Sequence, residues 1–94
     1  MNSNFIAIDF ETATSNKMAC QIGITIVENG AIKDTIVRLI QPPNNKYDVG
    51  CIQVHHITPE QTSKSPTFDI VWEEIKNLFI NYDIVAHNAS FDES

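Results

Sequence analysis

The chain reads as an α/β domain with a mixed sheet: three strands meander antiparallel, a helix follows, and a fourth strand returns parallel to an earlier one. Three observations predict this. Phe5-Ile6-Ala7-Ile8 and Ile84-Val85-Ala86 are short apolar runs rich in β-branched residues, one near each end. Glu28-Asn29-Gly30 carries the Asn-Gly signal of a tight hairpin. Between hairpin and last strand, Phe68, Val71, Trp72, Ile75, Leu78 and Phe79 recur at helical spacing on one face.

Taken in order, Phe5 to Glu11 is the first expected strand, and Thr12 to Met18 is a polar loop. Ala19 to Val27 is the second strand, with Cys20, Ile22, Ile24 and Ile26 on one face. The Asn-Gly turn leads into a third, Ala31 to Ile40, which ends at Pro42-Pro43 because proline cannot donate to a ladder. The stretch containing Asn44-Asn45 and Gly50 reads as a loop. Thr58-Pro59-Glu60-Gln61 opens a short helix, with Pro at the first helical position and Gln three residues after Thr. Ser65-Pro66-Thr67 opens the longer one, whose outer face carries Glu73, Glu74, Lys76 and Asn77. Ile84 to Ala86, reached through a helical crossover, must be parallel to an earlier strand.

At 94 residues and 43% hydrophobic, the chain is one globular domain at most. No apolar run approaches the roughly 18 to 20 residues that span a bilayer. Met1-Asn2-Ser3-Asn4 lacks the basic start and apolar stretch of a signal peptide, so a cytoplasmic protein with no membrane partner is expected. Cys20 and Cys51 lack companions at zinc-ligand spacing and read as reduced thiols, with Cys20 in the core. A net charge of −6 with six scattered cations argues against a broad nucleic-acid surface. It does not argue against a small metal site, because bound divalent ions reverse the local field.

The informative acids stand at the two ends. Asp9 and Glu11 are two apart on a strand and therefore share a face. His87-Asn88-Ala89-Ser90-Phe91-Asp92 follows the last strand and delivers Asp92 from the turn beyond it. If first and fourth strands are parallel neighbours, their C-terminal ends meet at one sheet edge and the three carboxylates converge, as a divalent metal site requires. The bland rivals are a solvated strand end for Asp9 and Glu11 and a first-turn acid for Asp92. His87, in a strand-to-loop turn, reads as structural, and adjacent His55 and His56 cannot readily aim at one ion.

Asp9-Phe10-Glu11-Thr12 resembles the first motif of the DEDDh-type 3′-to-5′ exonucleases, the family of the proofreading epsilon subunit of bacterial replicative DNA polymerase. His87 to Asp92 resembles the second, and Val54-His55-His56-Ile57-Thr58 a family loop. The resemblance runs from about Phe5 to Asp92. It implies a ribonuclease-H-like fold and removal of nucleotides from a 3′ end, with DNA favoured over RNA, by two Mg²⁺ or Mn²⁺ ions. Two such ions about 3.5 to 4 Å apart can activate water and stabilise the departing 3′ oxygen. By analogy Asp9 would bridge both ions, Glu11 would bind the first and Asp92 the second. Thr12, His55, Asn88 and Phe91 would border the terminal nucleotide, and a DNA polymerase is an implied partner.

Departures bear on the reading. The family's third motif, a His followed five residues later by an Asp, falls beyond Ser94, and that His would be the general base. Ala13-Thr14 stands where Thr-Gly is common, and Gln21 where many members carry Glu. One substantial helix also covers only one face of a sheet whose parallel strand needs cover on both. The 94 residues are therefore expected to be an incomplete and inactive exonuclease domain, open to self-association through the uncovered face. The alternative is a non-catalytic module of the same fold that binds a nucleic-acid end or anchors a polymerase. An aspartyl-phosphate enzyme using Asp9 ranks below both, because Glu11 replaces its usual second Asp and no phosphate-cradling glycine loop is present.

Overall fold

The computed structural model describes residues 4–86. Four strands form one sheet in the order β3-β2-β1-β4: β1 is Phe5–Thr12, β2 Ala19–Glu28, β3 Ala31–Leu39 and β4 Asp83–Ala86. β2 is antiparallel to both β1 and β3, while β4 runs parallel to β1, as the sequence predicts. At the hairpin Asn29 (φ 54°) and Gly30 (φ 78°) both take positive φ, the conformation that a turn matching strand twist demands.

One sheet face is covered. Ile6 and Ile8 of β1 and Ile22, Ile24 and Ile26 of β2 pack with Ile40 against Val71 and Ile75 of α3, Phe68–Ile75. Burying each such side chain contributes roughly 1.5–3 kcal/mol, so this interface dominates the stability. Cys20 is buried as expected, but in a second cluster with Ala13 and Ile57. The reason is a register shift: Gln21 lies opposite Glu11 but Ala19 opposite Thr12. On the other face Val37 is 53% exposed.

The helices depart from expectation in two places. Pro43–Asn45 forms a single 3₁₀ turn, and Val49–His55 is a helix, α1, where a loop is expected. The short helix α2, Pro59–Thr62, starts where predicted, and the Thr58 N–H donates to the Gln61 side chain at 2.8 Å. The long amphipathic helix is two pieces, α3 and α4, Leu78–Asn81. At the break Phe79 and Ile80 of α4 bond back to the carbonyls of Lys76 and Asn77, a tighter three-residue turn. Of its apolar face, Val71 and Ile75 are buried, whereas Phe68 (44%) and Trp72 (39%) are substantially exposed, their rings lying near Phe10 and Phe79 respectively. No helix among the described residues is long and apolar enough to cross a membrane.

Candidate active site

Strand alternation decides where the carboxylates go. Phe10 packs with the core beneath α3, so Asp9 and Glu11 on either side of it face the other way. Asp9 is exposed and Glu11 half-buried. Gly23 lies opposite Asp9 and Gln21 opposite Glu11. Among the described residues no Lys, Arg or His forms an ion pair with either acid. β4 reaches the same sheet edge, its last pair being Ile8 with Ala86, one residue short of Asp9. Asp92, Asn88, Phe91 and His87 lie outside the described residues. Within those described, no three His, Cys, Asp or Glu side chains gather into a metal cluster.

Beyond Glu11 the chain is held by α1 at both of its ends. Asp48, just ahead of the helix, donates its N–H to the Ala13 carbonyl at 2.8 Å, and its carboxylate accepts the Ser15 N–H at 2.6 Å. At the other end His55 Nε2 lies 2.8 Å from the Thr12 carbonyl, and the Ile57 N–H donates to Nδ1 at 2.9 Å. Both ring nitrogens of His55 are thus engaged within the protein. Cys20 Sγ lies 3.7 Å from Nε2, and burial pushes this thiol up to about 11, with the Glu11 charge adding to the effect. It is a neutral thiol near neutrality and no ready metal ligand. Nothing in the sequence marks Asp48 beyond an acid in a loop, because Ala13 and Ser15, which its N–H and carboxylate hold, are 33 or more residues away.

An apolar groove of about 600 Å³ opens between this loop and α3, lined by Phe10, Met18, Ile40, Pro42 and Phe68 among others. Phe10 places it on the covered side of the sheet, away from the carboxylates.

Two carboxylates on one face of a strand end, neither paired with a cation among the described residues, suit a hard divalent ion such as Mg²⁺ or Mn²⁺. They supply part of a coordination sphere.

The sheet order agrees with comparisons to known proteins. The model of the RNase T family, described as an exonuclease, matches residues 6–93. The chain belongs to this exonuclease family. As a family member it is 29% identical to a PolC-type DNA polymerase III of Mycoplasmopsis pulmonis, across the whole chain but 7% of that protein. It is 30% identical to the DNA polymerase III subunit epsilon of Pasteurella multocida, over 93% of the chain and 38% of the subunit. The chain thus spans well under half the length of these relatives. Among solved structures, a full-length 3′-exonuclease superposes with a TM-score of 0.72 at 19% identity, over 93% of this chain and 46% of that one. The nuclease domain of 3′hExo, a DEDDh family member bound to rAMP, gives 0.72 at 18% identity, over 93% and 52%. At such identities these matches establish the fold, which is ribonuclease-H-like.

Proposed function

We propose that the protein is a metal-dependent 3′-to-5′ exonuclease that releases nucleotides from single-stranded DNA. The observation that carries this reading is the pair Asp9 and Glu11, side by side on one face at the sheet edge where β1 and its parallel neighbour β4 approach their ends, in a member of an exonuclease family. Asp9, Glu11 and Asp92 would hold two divalent ions, Mg²⁺ or Mn²⁺. When bound, such ions supply Lewis-acid activation at the phosphodiester and neutralise charge on the leaving oxygen. The chain's own part is to bind and orient. Asp9 and Glu11 offer oxygens from a rigid strand, Thr12, Asn88 and Phe91 border the terminal nucleotide, and His55 reaches it through Thr12. DNA is favoured because the curated relatives are DNA polymerase III proteins, which also makes a polymerase the natural partner. With a net charge of −6, affinity rests on the site and not on a basic surface, so binding should weaken little with salt.

The test is mononucleotide release from 5′-labelled single-stranded DNA in Mn²⁺, using protein expressed from its full native reading frame. Loss of release with Asp9→Ala supports the reading; unchanged release sinks it. Binding of the DNA end without any release by the unmutated protein would favour a non-catalytic module of the same fold.

A further inference from the structure

We infer that His55 is a positioning residue, which holds the Thr12 carbonyl and so fixes the end of β1 that presents Glu11. The inference rests on the metal-site reading above.

The ring's hydrogen bonds determine its protonation pattern. The backbone N–H of Ile57 points at Nδ1 from 2.9 Å, so Nδ1 must present a lone pair. A neutral imidazole then carries its proton on Nε2, and Nε2–H donates to the Thr12 carbonyl at 2.8 Å. One tautomer satisfies both contacts. The ring is set further by Tyr47, edge-on at 6.4 Å and 72°, and by Cys20 Sγ beside Nε2. His55 itself is the last residue of α1, and the next residue, His56, turns left-handed (φ 63°), which brings the Ile57 N–H back over the ring.

The place that His55 grips is where the sheet stops holding the chain regularly. Pairing between β1 and β2 slips between Glu11 and Thr12, directly after the second carboxylate. The extra residue is Cys20 of β2, and a bulge of this kind re-aims neighbouring side chains and increases the local twist. His55 supplies an anchor at Thr12, and Asp48 supplies the next at Ala13 and Ser15. His55 is only half-buried, so filling space is the smaller part of what it does. A bidirectional pair of hydrogen bonds fixes orientation. Partners that orient metal ligands commonly carry 10- to 100-fold in metal affinity, roughly the scale expected here.

The experiment is Mn²⁺ binding by the full chain, read from the electron paramagnetic resonance of free Mn²⁺, alongside the thermal midpoint. Four variants are compared with the unmutated protein: Asp9→Ala, His55→Leu, His55→Gln and His55→Asn. Asp9→Ala should abolish binding. His55→Leu should weaken it about tenfold or more. His55→Gln, whose amide N–H₂ can reach the Thr12 carbonyl, should restore most of the affinity, whereas the shorter His55→Asn should not. If His55→Leu does not fold, the Gln and Asn variants decide between themselves. His55 variants that bind Mn²⁺ like the unmutated chain, with Asp9→Ala dead, overturn the positioning role and leave the metal site standing. Unchanged binding by Asp9→Ala overturns the metal-site reading and this inference with it. Nitrogen NMR of the unmutated chain gives an independent check: a proton on Nδ1 in place of Nε2 would also overturn it.

Discussion

The Tyr82 hydroxyl donates to the Glu28 carboxylate, 54 residues away in sequence. Tyr82 precedes β4 and Glu28 ends β2, so the bond ties these strands together across the intervening β1. Lys33 reaches the same carboxylate at 3.3 Å. The Tyr82 hydroxyl first, and Lys33 second, hold the Glu28 carboxyl below the usual carboxylate range, while Glu28 raises both the Tyr82 phenol and the Lys33 ammonium.

Linkage gives the pH dependence its sign. A depressed carboxyl stabilises the fold above its unfolded pKa, and that contribution disappears as pH falls through the folded value. The raised phenol and ammonium stabilise below their unfolded pKa values and lose this as pH rises through the folded ones. Tyr82→Phe should therefore lower the thermal midpoint most near neutrality, with the deficit shrinking at both the acid and the alkaline end. Paired melts across the pH range check this, and a deficit independent of pH would rule it out.

A partly buried relay makes the next prediction. Tyr47 donates to Thr62 Oγ1 at 2.7 Å, Thr62 donates to Asn45 Oδ1 at 2.8 Å, and Asn45 donates to the Pro59 carbonyl at 2.8 Å. Thr62 is fully buried in the middle of the chain of bonds. Thr62→Val keeps the shape but strands a donor on one side and an acceptor on the other, at a cost of about 1–3 kcal/mol. Tyr47→Phe leaves the Thr62–Asn45 bond intact and should cost less. Urea unfolding of the two variants tests the order, and a larger loss for Tyr47→Phe would contradict it.

The two thiols should separate by reactivity. Cys20 is buried with its thiol pushed up to about 11, chiefly by burial. Cys51 is half-buried and also raised, by burial first and by Asp48 second. Iodoacetamide acts on the thiolate, so in the native protein Cys51 should be modified first and Cys20 only on unfolding. Peptide mass spectrometry over time reads this. Equal native rates would mean that the cover over Cys20 opens locally.

What was legible in the sequence follows from the range of the forces concerned. The strands came from local alternation, and Asp9 with Glu11 from the same period of two, so both agree with the structure to within a residue or two. α1 was not legible. It is seven residues long, begins Val49-Gly50 and contains Val54, all poor for a helix on propensity alone. What holds it is tertiary: its flanking Asp48 and terminal His55 bond to residues 33 and 43 positions earlier. The break between α3 and α4 is hidden for a related reason. The apolar spacing continues through Lys76-Asn77 while the backbone tightens to three-residue bonds.

Gly23 yields the last prediction. It stands opposite Asp9 on the same sheet face, and its φ is not in the left-handed region. A Cβ built there would meet nothing closer than the Asp9 carbonyl at 3.7 Å, an ordinary contact. The backbone therefore does not require glycine, and Gly23→Ala should stabilise the chain by about 0.4–1 kcal/mol through the unfolded state. Directly opposed side chains lie about 4.5–5.5 Å apart at Cβ, so a large group at this position would stand over the Asp9 carboxylate. Gly23→Tyr should keep the fold yet weaken Mn²⁺ binding, whereas Gly23→Ala should leave binding unchanged. Together the two variants separate stability from site access. If Gly23→Ala destabilises the protein, the strand needs glycine itself; if Gly23→Tyr binds Mn²⁺ normally, the ion does not approach Asp9 from this face.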